Sequence, residues 1–158
     1  MTAIAIMEKG KEMMREILFR GKSVNTGEWV EGSLIVLTYQ PADDAPFQHY
    51  EIEDTTIGIS PHDFMSGIYT TVDPATVGQY TGLTDKNGKK IYEGDIVKYG
   101  DTINKVVFEQ RNGTAYFGVV MDDTETWHFG YLTNAEGMEV IGNIHDNPEL
   151  LEDDKESK

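Results

Sequence analysis

Apolar and polar residues alternate with a period of two along most of this chain, which is the spacing typical of β-strands with one buried face. The clearest example is the segment Val72–Tyr99, in which two apolar runs flank a short polar turn. The Asn87-Gly88 pair in this turn favours a hairpin, because both residue types tolerate the positive φ angles of tight hairpin turns. We therefore predict that this segment forms the central hairpin of a small β domain.

Two further hairpins are predicted on the same grounds. The first joins a strand around Ile17–Val24 to a strand that begins at Trp29. The second joins Ile103–Glu109 to Thr114–Val120 through a turn that again contains Asn-Gly. The continuous apolar run Ser33–Tyr39 predicts a strand covered on both faces. Shorter strands are predicted at His49–Glu53, Thr55–Ile59, Phe64–Val72, Thr126–Leu132 and Met138–Ile144.

A bend is predicted inside the returning strand of the central hairpin, at Glu93-Gly94-Asp95. Gly94 is expected to adopt a φ angle that only glycine tolerates, and the Asp95 side chain is expected to cap the turn. The pattern Glu-Gly-Asp-Ile-Val at this position is similar to the bend that precedes a strand in small SH3-like barrels. We interpret both residues, like Asn87 and Gly88, as structural turn positions.

A short acidic helix is predicted at the C-terminal end of the β domain. Asn147 is expected to cap it, Pro148 takes the first helical position, and the helix runs through about Glu152. An acidic residue at position 149 favours this start, because the amino end of a helix carries a partial positive charge. The predicted fold is therefore mainly β, with antiparallel hairpins and one short terminal helix.

Composition restricts the classes of partner. The 158 residues suffice for one domain with its own core, and the chain has no cysteine, which excludes disulfides and cysteine-ligated zinc. The net charge is −15, and no Lys or Arg occurs in residues 23–85 or 112–154. Because a nucleic-acid binder needs a continuous basic track, we expect no direct nucleic-acid binding. Apolar runs are far shorter than a membrane helix, so no membrane partner is expected. A cytoplasmic location is predicted, because the absence of cysteine is compatible with a reducing compartment.

The two ends of the chain differ from the part between them. In residues 1–13 no strand pattern is present, and Met13-Met14 follow a segment that resembles a translated ribosome-binding site. We interpret residues 1–13 as an upstream read-through, with the true start at Met13 or Met14. The alternative is a disordered leader, either a frayed tail or a short helix interrupted by Gly10. Residues 14–152 are predicted to form a single β domain, and residues 153–158 a charged tail.

Two His-Asp pairs, His62-Asp63 and His145-Asp146, resemble part of the ligand set of metal-dependent phosphohydrolases. Such chemistry needs several ligands that converge with defined geometry, whereas both pairs lie at predicted turns. Asp146 is interpreted as a residue that helps to start the terminal helix. No catalytic residue, no metal site and no cofactor is predicted.

The aromatic strand near residue 129 is the predicted interaction surface. Trp127, His128 and Tyr131 carry this prediction, because aromatic side chains bury a large area at small entropic cost when partners bind. The alternative is that the aromatic residues with period-two spacing share one face and fill the core. The pattern alone leaves both interpretations open.

Several segments resemble the YopX family of phage and prophage proteins. The most specific are Val77–Leu83 and Ile91–Val97, and the resemblance extends over Arg20–Lys22, Thr26–Gly32 and Val140–Leu151. It implies a mainly β pseudo-barrel, SH3-like in part, capped by a helix, in a phage-derived setting. No catalytic residue transfers from the resemblance.

Three functions remain open at this point. The leading hypothesis is a non-catalytic phage or prophage accessory protein that binds a protein partner and self-associates into a homo-oligomer. The second is an acidic mimic of DNA that inhibits a host nucleic-acid enzyme, because long stretches without positive charge could place carboxylates at phosphate-like spacing. The third is a cryptic metal-dependent hydrolase that uses His62, His145 and nearby acids.

Overall fold

The structure is a computed structural model that describes residues 16–39, 47–54, 69–120, 126–128 and 137–152. Within these residues the regular elements are strands, one 3-10 turn over Pro74–Thr76 and a short helical turn at residues 150–152. The strands are β1 (Phe19–Lys22), β2 (Trp29–Tyr39), β3 (Phe47–Asp54), β4 (Tyr69–Thr71), β5 (Gly78–Thr84), β6 (Lys90–Tyr92), β7 (Asp95–Tyr99), β8 (Thr102–Arg111), β9 (Thr114–Val120), β10 (Thr126–His128) and β11 (Met138–Asn143).

These strands form two antiparallel sheets. One sheet has the order β4-β3-β2-β1-β5-β6, and the other has the order β10-β9-β8-β7-β11. The prediction of a mainly β fold, built from antiparallel hairpins and ended by a short helix, is confirmed. The described strands do not close into a barrel, and the sheets instead pack against each other in a sandwich-like arrangement.

The three predicted hairpins are all present. Strand β1 pairs with β2, β5 with β6, and β8 with β9. The β8–β9 turn has two residues, Asn112 and Gly113, with φ angles of 52° and 78°, as the hairpin chemistry of Asn-Gly requires. The Asn-Gly pair at 87–88 instead lies within a longer loop, because Thr84 is the residue that pairs with Lys90.

The main core lies between the second sheet and the β5–β6 hairpin. Its members are buried aliphatic side chains from β6, β7, β8, β9 and β11: Ile91, Val97, Val106, Val119, Met138 and Val140. Leu83 of β5 and Phe117 of β9 are partly buried and pack against them. A second, smaller cluster contains Tyr80 and Tyr92 of the first sheet and Leu18, which directly precedes β1. Burial of this apolar surface is the main stabilising contribution to the fold.

The Glu93-Gly94 bend carries the chain from the first sheet to the second. Gly94 has a φ angle of 81°, and its N–H donates to the carbonyl of Val106, 2.9 Å away. The Asp95 carboxylate accepts from the Tyr92 N–H at 2.7 Å, which closes the bend. Both predicted roles, the positive φ at Gly94 and the cap at Asp95, are confirmed, while the change of sheet at this point was not predicted.

Asp85 connects the central hairpin loop to β11. Its Oδ1 accepts from the N–H groups of Asn87 and Lys89, at 2.8 and 2.9 Å. Its Oδ2 accepts from the N–H of Val140 at 3.0 Å, so one buried carboxylate serves two segments. Burial alone would raise the pKa of Asp85, but these three N–H donors hold it below its ordinary value.

Three local predictions were wrong. The run Ser33–Tyr39 forms the second half of β2, but it is not covered on both faces, because the Val36 side chain is 44% exposed. The Asn147 side chain does not cap the terminal helix; its Oδ1 accepts instead from the N–H of Asn143, in β11. The Asp146 carboxylate does not start the helix either, since it binds side chains of β1 and β2.

The predictions for residues 1–13, Thr55–Ile59 and residues 153–158 lie outside the described residues, as do most of Phe64–Val72 and the His62-Asp63 pair. In the segments that the structure does describe, no helix is long and apolar enough to cross a membrane.

Gly78 allows the bend and β5 to approach closely, and we expect Gly78→Ala to destabilise the protein. An added Cβ would lie 2.4 Å from the carbonyl oxygen of Glu93, which is backbone and is held in place by the bond between Glu93 N–H and the Gln79 carbonyl. The expected loss is about 2 kcal/mol in the free energy of unfolding, measured by urea denaturation. The control Ser33→Ala, at an exposed strand position, should change this quantity by less than about 0.5 kcal/mol.

Candidate functional site

A cleft of about 590 Å³ opens where the β1–β2 hairpin, the β6–β7 bend and the turn after β11 meet. We call it the Arg20 cleft, after one of the side chains that line it. Its lining is polar and aromatic rather than aliphatic: Arg20, Trp29, Val30, Glu31, Lys89, Lys90, Tyr92, Asp95, Ile141, Gly142, Asn143, Asp146 and Asn147.

The Arg20 guanidinium is held by two aromatic rings and one carboxylate. Its central carbon lies 4.7 Å from the centroid of the Trp29 ring and 4.9 Å from that of Tyr92. Its Nη2 lies 2.6 Å from Oδ1 of Asp95, and only 13% and 1% of the two side chains are exposed. Cation–π contacts and a desolvated ion pair together fix the guanidinium in one orientation.

Hydrogen bonding in this cluster is incomplete. Arg20 Nε is buried and makes no hydrogen bond, while the Asp95 carboxylate faces the guanidinium only through Nη2. Burial raises the pKa of Asp95, and the Arg20 guanidinium and the Tyr92 N–H oppose that rise. Burial, and then the neighbouring Glu31 carboxylate, raise the pKa of Tyr92, so its phenol stays protonated.

Asp146 ties the turn after β11 to the first hairpin. Its Oδ2 accepts from the indole N–H of Trp29 at 2.7 Å and from the Asn143 amide at 2.9 Å. Its Oδ1 accepts from the Lys22 ammonium. These donors, led by Lys22, hold the pKa of the Asp146 carboxyl far below its ordinary range.

We expect Asp146→Ala to release the Trp29 indole from this turn. The indole N–H resonance of Trp29 should then move upfield and exchange faster with solvent, as measured by NMR. In the wild type, the folded pKa of Asp146 is lowered, so the contact is complete at neutral pH and should persist as pH falls past the ordinary aspartate pKa of about 3.9. A wild-type indole resonance that titrates near that value would contradict this. Asp101→Ala, in the exposed β7–β8 turn, is the control.

His145 lies beside the cleft and packs on Trp29, with ring centroids 5.9 Å apart. Burial, and then the cations Arg20 and Lys22, lower the pKa of His145, so the imidazole is neutral at pH 7. Within the described residues, no group of three or more His, Asp or Glu side chains is placed to hold a metal ion. The structure gives His145 an aromatic contact rather than a ligand set.

The residues predicted from the sequence lie in different places. Gly94 and Asp95 form the bend beside the cleft, and Asn87 and Gly88 lie in the loop that Asp85 organises. Trp127 and His128 lie on β10, the last strand of the second sheet in the described order, and Tyr131 is outside the described residues. The prediction of an interaction surface there is not tested by the structure.

The cleft residues Arg20, Trp29, Tyr92 and Asn143 were not predicted from the sequence as a site. Each lies within a segment that carries the family resemblance, so a signal was present, but it was used only for the fold. The His145-Asp146 pair was compared with a metal ligand set and interpreted as structural, but the contacts of Asp146 with Lys22 and Trp29 were not predicted.

Comparison with known proteins bears on the family rather than on an activity. No curated protein matches the chain. Among solved structures, a crystal structure of protein EF1440 from Enterococcus faecalis is 26% identical, with a TM-score of 0.45, and the match covers 87% of this chain and 99% of that one. The family model described as YopX protein matches residues 18–152, which is most of the chain, and the protein therefore belongs to the YopX family.

Proposed function

We propose that this member of the YopX family is a non-catalytic accessory protein of a phage or prophage that binds another protein through the Arg20 cleft. The observation that carries the proposal is the convergence of Arg20, Trp29 and Tyr92 on one open cleft. Arg, Trp and Tyr are the residue types that dominate the energetically important positions of protein interfaces. They combine large contact area with directional polar groups.

The cleft is also preorganised, which supports a role in recognition. The ion pairs of Arg20 with Asp95, of Lys22 with Asp146 and of Lys90 with Glu31 hold its walls before any partner arrives. Side chains that are already ordered lose less conformational entropy on binding. The carboxylates among the described lining residues are all used in these fixed pairs, which favours binding over proton transfer.

Self-association is the second part of the proposal. Strand β10 ends the described order of the second sheet, and it contains Trp127 and His128. A terminal strand presents unpaired backbone N–H and C=O groups that a second copy of the same strand can pair with across a two-fold axis. This uses a different surface from the Arg20 cleft.

Site-specific photocrosslinking tests the partner proposal. A benzoylphenylalanine placed at Lys89, on the rim of the cleft, should form a discrete crosslinked product with a protein in a lysate of the host cell. The same group at Asp101, an exposed turn position away from the cleft lining, should not form that product. Identical products from the two positions, or none from position 89, would contradict the proposal.

Light scattering over a range of concentrations tests self-association. We expect a dimer or larger species for the wild type and a shift toward monomer for Trp127→Lys, because a buried charge disfavours the paired interface. Val24→Lys is the control, because it introduces the same charge at a different position where the side chain is 56% exposed. It should leave the molecular mass measured by light scattering at the wild-type value. A wild type that stays monomeric at high concentration would refute self-association.

A further inference from the structure

The acidic and the basic side chains that line the Arg20 cleft differ in how many of their groups already have a partner within the protein. Among the described residues of its lining, three carboxylates are present, and each is bound by a cation of the chain: Asp95 by Arg20, Glu31 by Lys90 and Asp146 by Lys22. Asp146 additionally accepts from Trp29 and Asn143, and Asp95 from the Tyr92 N–H. The acidic groups of the cleft are therefore already neutralised within the protein.

Several hydrogen-bond donors of the cleft, by contrast, have no acceptor among the described residues. Lys89 is exposed, and within the described segments no carboxylate lies within ion-pair distance of its ammonium. Arg20 uses Nη2 for Asp95 and for the Glu93 carbonyl, whereas Nη1 makes no bond to the described residues and is not buried. Arg20 Nε is buried without a hydrogen bond.

The difference between paired carboxylates and donors without an acceptor indicates the charge of the ligand that the cleft would bind. The donors that a ligand can reach are Nη1 of Arg20 and the Lys89 ammonium, so a ligand that supplies acceptors is favoured there. An anionic acceptor forms the shorter, charge-assisted bond to guanidinium and ammonium groups. A cationic ligand would find every carboxylate of the cleft already paired.

We propose that the Arg20 cleft binds a carboxylate of an acidic segment in the partner protein, held by Arg20 and Lys89. This rests on the proposed function and specifies what the cleft recognises. The planar guanidinium of Arg20, held by the Trp29 and Tyr92 rings, gives the direction of the bond, and Lys89 adds an exposed charge at the rim. Because the net charge of the protein is −15, an acidic segment is attracted only where these cations face it, which makes the site selective.

Titration of the full chain with two peptides tests this inference by NMR. The first is an acetylated and amidated peptide of glycine, aspartate and glutamate, and the second has asparagine and glutamine in place of the acids. The acidic peptide should shift the Nε–H resonance of Arg20 and the indole N–H resonance of Trp29, and the amide peptide should not. Inorganic phosphate is titrated separately, since it offers the same acceptor chemistry without a protein source.

Two substitutions locate the binding. Lys89→Gln should weaken binding of the acidic peptide about threefold, as expected for a solvent-exposed charge pair. Arg20→Lys keeps the charge but loses the planar donor pair, and it should weaken binding about tenfold. Lys98→Gln removes an exposed lysine that does not line the cleft and should leave the affinity unchanged.

The outcomes separate this inference from the proposed function. Equal shifts with the two peptides, equal weakening by Lys89→Gln and Lys98→Gln, or shifts with phosphate alone would overturn carboxylate recognition. A specific protein crosslink from position 89 would in that case still support the proposed function. Absence of that crosslink, together with selective binding of the acidic peptide, would retain a carboxylate site but remove the protein partner.

Discussion

Replacing Arg20 with methionine is expected to lower the free energy of unfolding by about 3 to 5 kcal/mol. Methionine retains most of the apolar stem that packs beside Trp29 and Tyr92, so the main change is the loss of the charge. The Asp95 carboxylate, 1% exposed, is then left in the interior without its counter-ion. Urea denaturation at neutral pH measures the loss.

The double variant Arg20→Met with Asp95→Asn separates the buried charge from other effects. Asparagine can still accept from the Tyr92 N–H, so the bend stays closed, but no charge remains to be buried. Part of the stability lost in Arg20→Met should therefore return, as a coupling between the two positions. If Arg20→Met alone changes the free energy of unfolding by less than about 0.5 kcal/mol, the ion pair does not stabilise the fold.

Asp85→Ala is expected to cost about 3 to 4 kcal/mol, because it removes the acceptor of three backbone N–H groups. Two of these groups organise the central loop, and the third belongs to Val140, which lies in the main core. Both the loop and its contact with β11 should loosen. Urea denaturation measures the total effect, and faster amide exchange at Val140 and Lys89 would locate it.

Asp85→Asn provides the matched comparison. It keeps the shape and one acceptor oxygen but turns the other acceptor into a donor, so we expect an intermediate loss. Since the folded pKa of Asp85 is lowered, its contribution is complete above the ordinary aspartate pKa of about 3.9 and is lost as pH falls through the folded value. If the Asp85→Ala variant were as stable as an Asp101→Ala control, the Asp85 carboxylate would not stabilise the contact between the central loop and β11.

Turns were the most predictable part of this fold. The positive φ of Gly94 and the cap formed by Asp95 follow from local chemistry, because glycine and aspartate each have a specific backbone role within a few residues. The Asn112-Gly113 turn likewise needs no information from elsewhere in the chain. The period-two pattern then placed the hairpins on either side of these turns.

The Arg20 cleft was not predictable in the same way, because its contacts join distant positions. Trp29 and Asp146 are 117 positions apart, and Lys22 and Asp146 are 124 apart. No periodicity within one strand reports such a pairing, which depends on how the sheets pack. Asp146 was misinterpreted for this reason: beside Asn147-Pro148 it has the local character of a helix start, and only the tertiary structure brings Lys22 and Trp29 to it.

The position of the Glu93-Gly94 bend has a consequence for how the protein unfolds. Strands β6 and β7 belong to different sheets but are separated by this bend alone, and Ile91 and Val97 on its two sides lie in the same core. Neither sheet can therefore detach while the other stays intact. The amide protons of β6 and β7 should exchange with solvent through one shared opening event. We therefore expect the two sheets to unfold as a single cooperative unit.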